Sequence, residues 1–267
     1  MSPLLQFYGA QALSKAAILT NDDSVRLSDI SYHGLSTRPT SPTLQQYASS
    51  SRSWALEQEF AVKRTNGVFP QLCHSVGDAI PADGEVLTLK ELLRVIPDLK
   101  ALFHRHYGEM SNCIRIYSGP TKDKEGRTEI YFSNDIGDVW SLFPEFNDGF
   151  EECEINGVAG FRSVSTDDDP ISFGAIELGT VAGRYFVRPL ASGIHKSFSV
   201  LLAAMFVLSN VVRYKPAFWM RELQGSQSGG ASVAQALTNL AKRRLPNDAL
   251  ESIWNERVIY GTPGYVT

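Results

Sequence analysis

The sequence predicts an α+β fold, a helical bundle formed by N- and C-terminal helices with a β-rich middle insertion. Three observations predict it. The run from Ile194 to Trp219 holds a nearly unbroken apolar helix that leads into Arg213-Tyr214-Lys215-Pro216, and a helix that apolar has to lie inside a core, because only burial hides its whole circumference from water. Pro3 to Leu19 reads as a second helix, with proline in its first turn, where the missing N–H costs nothing. Between them, Cys113–Tyr117, Thr128–Phe132 and the stretch from Ile171 to Leu190 are short β-forming runs bounded by Gly, Pro and Asp.

In chain order, Leu4, Leu5, Tyr8, Ala12, Leu13, Ala16 and Ile18 make a broad apolar face on the first helix, with Gln11 and Lys15 on the opposite stripe. Asn21-Asp22-Asp23 stops it. Ile30 to Pro42 reads as loop, and the Ser/Thr/Pro/Gln-rich run from Ser36 to Ser53 as exposed surface. Trp54 to Arg64 alternates apolar and charged residues, a strand pattern, and Gly67-Val68-Phe69-Pro70 comes next as a turn. Thr88 is a helix N-cap, with Glu91 completing a capping box. Pro97 interrupts the apolar face behind it, and Leu99 to Tyr107 resumes as a second short helix. In the middle, Cys113–Tyr117 and Thr128–Phe132 flank a polar loop, and Ile171–Leu178 with Val181–Leu190 form a hairpin turning at Gly179 or Gly183. A Gly/Ser linker (Gly225 to Gly230), a helix from Ala231 to Arg244 and a terminal segment around Leu250 to Tyr260 close the chain. The expected organisation is an N-terminal helical part (1–110), a β-rich segment (111–190) and a C-terminal helical part (191–267). The last packs on the N-terminal helices, so that the three form one composite domain.

Composition narrows the function classes. The 267 residues are 43% hydrophobic and 20% charged, ordinary for a globular protein, with a net charge of -4. That balance argues against broad electrostatic binding to nucleic acid and leaves room for a local basic patch. Cys73, Cys113 and Cys153 are widely spaced, with no CxxC and no Cys/His cluster, so neither a disulfide framework nor a metal site is expected. A reduced cytoplasm fits them best. The N-terminus lacks the positive start and greasy centre of a signal peptide. The apolar core from Phe198 to Val212 is shorter than the roughly 20 residues of a membrane span, so no membrane partner is expected. No GxGxxG, P-loop, GxSxG or HExxH occurs, which argues against the commonest nucleotide-binding, hydrolase and zinc-protease classes, and no cofactor is expected.

Two segments carry chemistry. Arg213-Tyr214-Lys215-Pro216-Ala217-Phe218-Trp219 ends the apolar helix. The helix dipole alone favours cations there, and proline is an ordinary stop; the same residues also suit an anion site in which Arg213 grips a phosphate or carboxylate bidentately. His33-Gly34-Leu35-Ser36-Thr37-Arg38 puts one group that titrates near neutrality among several donors on one short loop. Arg188 and His195, separated by six residues, match the spacing of an arginine–histidine ribonuclease signature, but Pro189 and Gly193 intervene and the match reads as accidental. His104-Arg105-His106 diverge around a helix, Asp167-Asp168-Asp169 reads as a solvated turn, and Lys242-Arg243-Arg244 as a helix end.

Several of these segments, in order and spacing, resemble the YaaC-like bacterial proteins. They are Pro3-Leu4-Leu5-Gln6-Phe7-Tyr8-Gly9 leading to Lys15, the His33–Arg38 loop, Gly67-Val68-Phe69-Pro70, Leu89-Lys90-Glu91-Leu92-Leu93 before Ile96-Pro97, and the RYKPAFW end of the long helix. The family ordinarily has a further helical segment before the first helix, whereas this chain starts almost directly at it. The resemblance implies little about activity. The tyrosine-bearing first helix and His-Gly loop are also similar to HEPN-type helical proteins of bacterial defence and toxin systems, an analogy of fold that does not carry function.

The leading expectation is a cytoplasmic binding or interaction protein with an anion site for RNA or a nucleotide phosphate. Lys15, His33, Arg38 and Arg213 converge on the anion; Tyr8 and Tyr214 stack or hydrogen-bond, and Thr37 and Lys215 complete the ligand-binding set. The rival is a metal-independent HEPN-like ribonuclease with His33 as acid/base. A third reading is a non-catalytic subunit in which exposed Phe218 and Trp219 meet a protein partner or a second copy.

Overall fold

The computed structural model describes residues 2–38, 55–117, 120–132, 136–155, 157–180, 183–224 and 230–256. Trp54, Gly119, Val181, most of the Ser36–Ser53 run and of the Gly/Ser linker, and residues 257–260 of the terminal segment lie outside them. The fold is α+β, and the chain divides into two compact units, residues 1–93 with 190–267, and residues 94–189.

The first unit contains α1 (Pro3–Asn21), β1 (Leu35–Ser36), β2 (Phe60–Lys63), α2 (Val68–Val76), β3 (Val86–Thr88) and α3 (Leu89–Arg94), whose last residue opens the second unit. The Thr88–Glu91 capping box is formed: the Thr88 N–H donates to the Glu91 carboxylate at 2.9 Å and the Glu91 N–H to the Thr88 hydroxyl at 3.2 Å. The second unit holds α4 (Lys100–Tyr107), β4 (Cys113–Ile116), β5 (Thr121–Lys122), β6 (Thr128–Tyr131), α5 (Ile136–Leu142), β7 (Phe150–Ile155), β8 (Val158–Ser163), β9 (Ile176–Thr180) and β10 (Gly183–Val187). The chain then returns to the first unit as α6 (Ser197–Tyr214), α7 (Pro216–Leu223) and α8 (Gly230–Trp254).

In the first unit, α1 lies against α6, α8 and α2, and α6 also packs on β2, the central strand of the antiparallel sheet β1-β2-β3. α6 is long and apolar enough to cross a membrane, and 72% of it is buried inside the protein. Its own N-terminus has no capping side chain. Asp78 supplies one from 117 residues away: its Oδ1 accepts the backbone N–H groups of His195 at 3.0 Å and Lys196 at 3.1 Å and lies 3.0 Å from His195 Nδ1. A buried carboxylate at a helix start satisfies orphan N–H groups and complements the macrodipole.

The buried face of α1 differs from the expected one. Phe7, Ala10, Ser14, Ala17 and Ile18 are buried, with Gln6 and Gln11, whereas Leu5 and Tyr8 are 66% and 46% exposed. Several helices pack on α1, and close approach selects the small side chains Ala10, Ser14 and Ala17; the Ser14 hydroxyl is absorbed by the Ala10 carbonyl at 2.8 Å. Apolar residues encircle α1, so hydrophobicity alone did not distinguish the two faces.

Other elements shift for local reasons. Residues 67–70 are not an isolated turn: Gly67 caps α2, and Pro70 sits in its first turn, where proline is tolerated. The expected strand 54–64 shortens to Phe60–Lys63 after a 3₁₀ turn at Leu56–Gln58. β2 is covered on both faces, so Glu59 and Lys63 are buried and the apparent alternation did not mark a solvent side. Pro216 opens α7 as well as closing α6. α8 continues through Pro246 to Trp254; the Asn247 side-chain amide donates to the Arg243 carbonyl, and Arg244 pairs with Asp248 at 3.0 Å across the proline.

In the second unit, β4-β10-β9 and β5-β6-β8-β7 are antiparallel sheets, and Phe132, Phe143, Phe146, Phe150, Phe161 and Phe186 dominate its core. β9 and β10 form the expected hairpin, but neither glycine is its turn: Gly179 pairs with Arg184 and Gly183 with Thr180 inside the strands, and residues 170–173 are a 3₁₀ turn.

Candidate functional site

Two glycines set the geometry of the His33 loop. Gly34 has φ +75 and Gly67 φ +124, conformations that only glycine adopts without strain. A Cβ on Gly67 would stand 2.4 Å from the Gly34 nitrogen, and one on Gly34 2.4 Å from Pro70 Cδ. The back-to-back glycines let the first N–H groups of α2 reach the loop: Val68 donates to the Tyr32 carbonyl at 2.9 Å and Phe69 to the His33 carbonyl at 3.0 Å. Helix donors that would otherwise be unsatisfied thus hold the loop backbone. Beyond His33, Leu35 and Ser36 pair with Lys63 and Val62, and the Arg64 guanidinium fastens the end of the loop, donating to Ser36 Oγ at 3.1 Å and the Arg38 carbonyl at 2.9 Å.

The anchored loop, α1 and the end of α6 enclose a cleft of about 390 Å³. From α1 come Leu4, Phe7 and Tyr8; from the loop His33 and Leu35 to Arg38; from α6 Phe206, Ser209, Asn210, Arg213 and Tyr214. The helical contributions obey the i, i+3, i+4, i+7 rule that places residues on one face. Buried Phe7 and Phe206 flank the His33 ring, with centroids 5.3 and 6.1 Å from it. The Arg213 guanidinium lies 5.2 Å from the Tyr214 ring centroid and donates a long 3.4 Å bond to the Tyr8 hydroxyl. Among the described residues, no Asp or Glu lines the cleft, and neither Arg38 nor Arg213 pairs with a carboxylate.

This environment acts on His33. Desolvation first, then the positive fields of Lys15 and Arg213, hold its pKa below the ordinary 6.5. The imidazole is therefore neutral at pH 7, able to accept a proton, in a cleft whose other ionised groups are cationic.

Of the residues predicted from sequence, Tyr8, His33, Thr37, Arg38, Arg213 and Tyr214 line this one cleft. Lys15 is not in its wall but acts electrostatically on His33. Lys215 is outside the wall too, because its ammonium is drawn to the buried Glu59 carboxylate at 2.7 and 3.0 Å. Phe218 and Trp219 are half-buried rather than exposed, with the Arg221 guanidinium 5.2 Å from the Phe218 ring. Arg188 is held bidentately by Glu145, and buried His195 by Asp78, so each has a structural role. Sequence reasoning missed Phe206, Ser209 and Asn210, although they stand seven, four and three residues before Arg213. It also missed Arg64, whose role depends on strand register and leaves no local signal.

A family model described as YaaC-like Protein matches residues 1–253, and the chain belongs to this family. The match takes in every wall of the cleft. The chain matches no curated protein and no solved structure.

Proposed function

We propose that this member of the YaaC-like family is an anion-binding protein whose cleft takes a phosphate of RNA or of a nucleotide. One observation carries the reading: Arg38 and Arg213, brought from opposite ends of the chain, share an open cleft with His33 and, among the described residues, have no carboxylate partner. Guanidinium forks suit phosphate oxygens geometrically, and charge-assisted hydrogen bonds are about twice as strong as neutral ones. In this reading Arg38 and Arg213 hold the phosphate, Thr37 and the Tyr8 hydroxyl donate at its edge, and Lys15 adds a favourable field. The free cysteines Cys73, Cys113 and Cys153 support a reducing, cytoplasmic setting.

Calorimetric titration with a nucleoside monophosphate and with a short single-stranded RNA tests it. Saturable binding that Arg38→Ala and Arg213→Ala each weaken at least tenfold supports the reading, and wild-type protein that binds neither ligand refutes it.

The neutral imidazole beside two arginines supports a second reading, a metal-independent HEPN-like ribonuclease. His33 would take a proton from the attacking hydroxyl, and an arginine would stabilise the charge on the pentavalent phosphate. RNA cleavage by wild-type protein that disappears in His33→Ala supports the enzyme; intact RNA with retained binding supports the module.

A further inference from the structure

Resting on the anion-site reading, we infer that the cleft's ligand is a single nucleotide bearing a terminal phosphomonoester, either free or at the end of an RNA strand. The phosphate lies between Arg38 and Arg213, and the base lies against the tyrosines. Charge, size and ring placement point the same way.

Arg38 and Arg213 both line the cleft, and Lys15 adds its field at His33, with no carboxylate among the described lining residues. A phosphomonoester carries about −1.5 to −2 at pH 7 and matches that excess, whereas an internal phosphodiester carries only a single charge. An internal stretch of strand would also need a cationic track on either side. Among the described residues the nearby cations do not provide one: Arg64 is spent on Ser36 and the Arg38 carbonyl, and Lys215 on Glu59. The chain as a whole is acidic, at -4.

The cleft volume of about 390 Å³ lies at the small end of the range for small-molecule sites, about 300–1,000 Å³. That suits one nucleotide. The aromatic residues are more than a phosphate alone requires. Tyr8 and Tyr214 stay 46% and 64% exposed, Arg213 touches both, and Phe7 and Phe206 make an apolar floor. A flat base presents its face to such rings, and stacking of this kind is worth roughly ten- to a hundredfold in affinity.

The experiment titrates the full-length protein with a nucleoside 5′-monophosphate, the matching nucleoside, ribose 5-phosphate, and a short single-stranded RNA with either a 5′-phosphate or a 5′-hydroxyl. The expected result is a nucleotide that binds at least tenfold more tightly than the nucleoside or ribose 5-phosphate, with Tyr214→Ala closing the gap to ribose 5-phosphate. A tight 5′-phosphorylated RNA identifies a strand end as the source, and its failure beside a tight free nucleotide identifies the free metabolite. Ribose 5-phosphate as tight as the nucleotide, or 5′-hydroxyl RNA as tight as 5′-phosphorylated RNA, overturns the inference while leaving the anion site standing. No binding by any probe overturns both.

Discussion

His33 is where the cleft's chemistry is most exposed to test. Its pKa is depressed, so between pH 6.5 and its folded value the unfolded chain binds the proton that the folded chain refuses. His33 therefore costs stability as the pH falls below 6.5 and contributes none of this penalty well above it. A bound anion offsets the fields of Lys15 and Arg213 and raises the imidazole pKa, so binding takes up a proton. Sulfate should bind more tightly as the pH falls through the range in which the imidazole gains its proton, and His33→Ala should flatten that dependence; calorimetry at several pH values measures it. Arg213→Lys should recover little of the affinity lost in Arg213→Ala, because an ammonium lacks the planar fork that grips two oxygens and stacks on Tyr214.

At the scale of elements, the site depends on how α2 and α6 are started. Gly34→Ala and Gly67→Ala force a Cβ into contacts of 2.4 Å at positive φ, and each should cost about 1–3 kcal/mol in denaturant unfolding. Both should also weaken anion binding, since the loop they displace carries His33, Thr37 and Arg38. Asp78→Ala strips the cap from α6 and leaves the His195 and Lys196 N–H groups without their acceptor. Its unfolding midpoint should fall by an amount corresponding to about 1–3 kcal/mol, the cost of leaving buried donors without their acceptor. The Thr88–Glu91 box was legible because both partners lie three residues apart. Asp78 was not, because its target stands far along the chain and only the fold brings them together.

At the scale of the molecule, most of the architecture could be read from local pattern. The helices at both ends and the β9–β10 hairpin have strong periodicity or turn signals. β7, β8 and α5 did not, and the buried face of α1 differs from the expected one because the small residues Ala10, Ser14 and Ala17 share it with Phe7 and Ile18 while Leu5 and Tyr8 stay exposed. Six of the eight predicted site residues meet in one cleft, since loop chemistry and the cationic end of a buried helix are both visible in sequence. Lys215 was misleading because nothing local announces that Glu59 is buried beside it. An acidic chain with a confined basic cleft should show a shallow salt dependence of RNA binding. One or two phosphate contacts give a log–log slope of about −0.7 to −1.4 on single strands, far from the steep slope of an extended nucleic-acid interface.

The most direct test is calorimetric titration of a nucleoside 5′-monophosphate into wild-type protein and into the Arg38→Ala/Arg213→Ala double variant, with circular dichroism confirming that both are folded. The cleft reading predicts one saturable site per chain in the wild type and its loss in the double variant. Equal affinity in the two proteins, or no binding to the wild type, would contradict it.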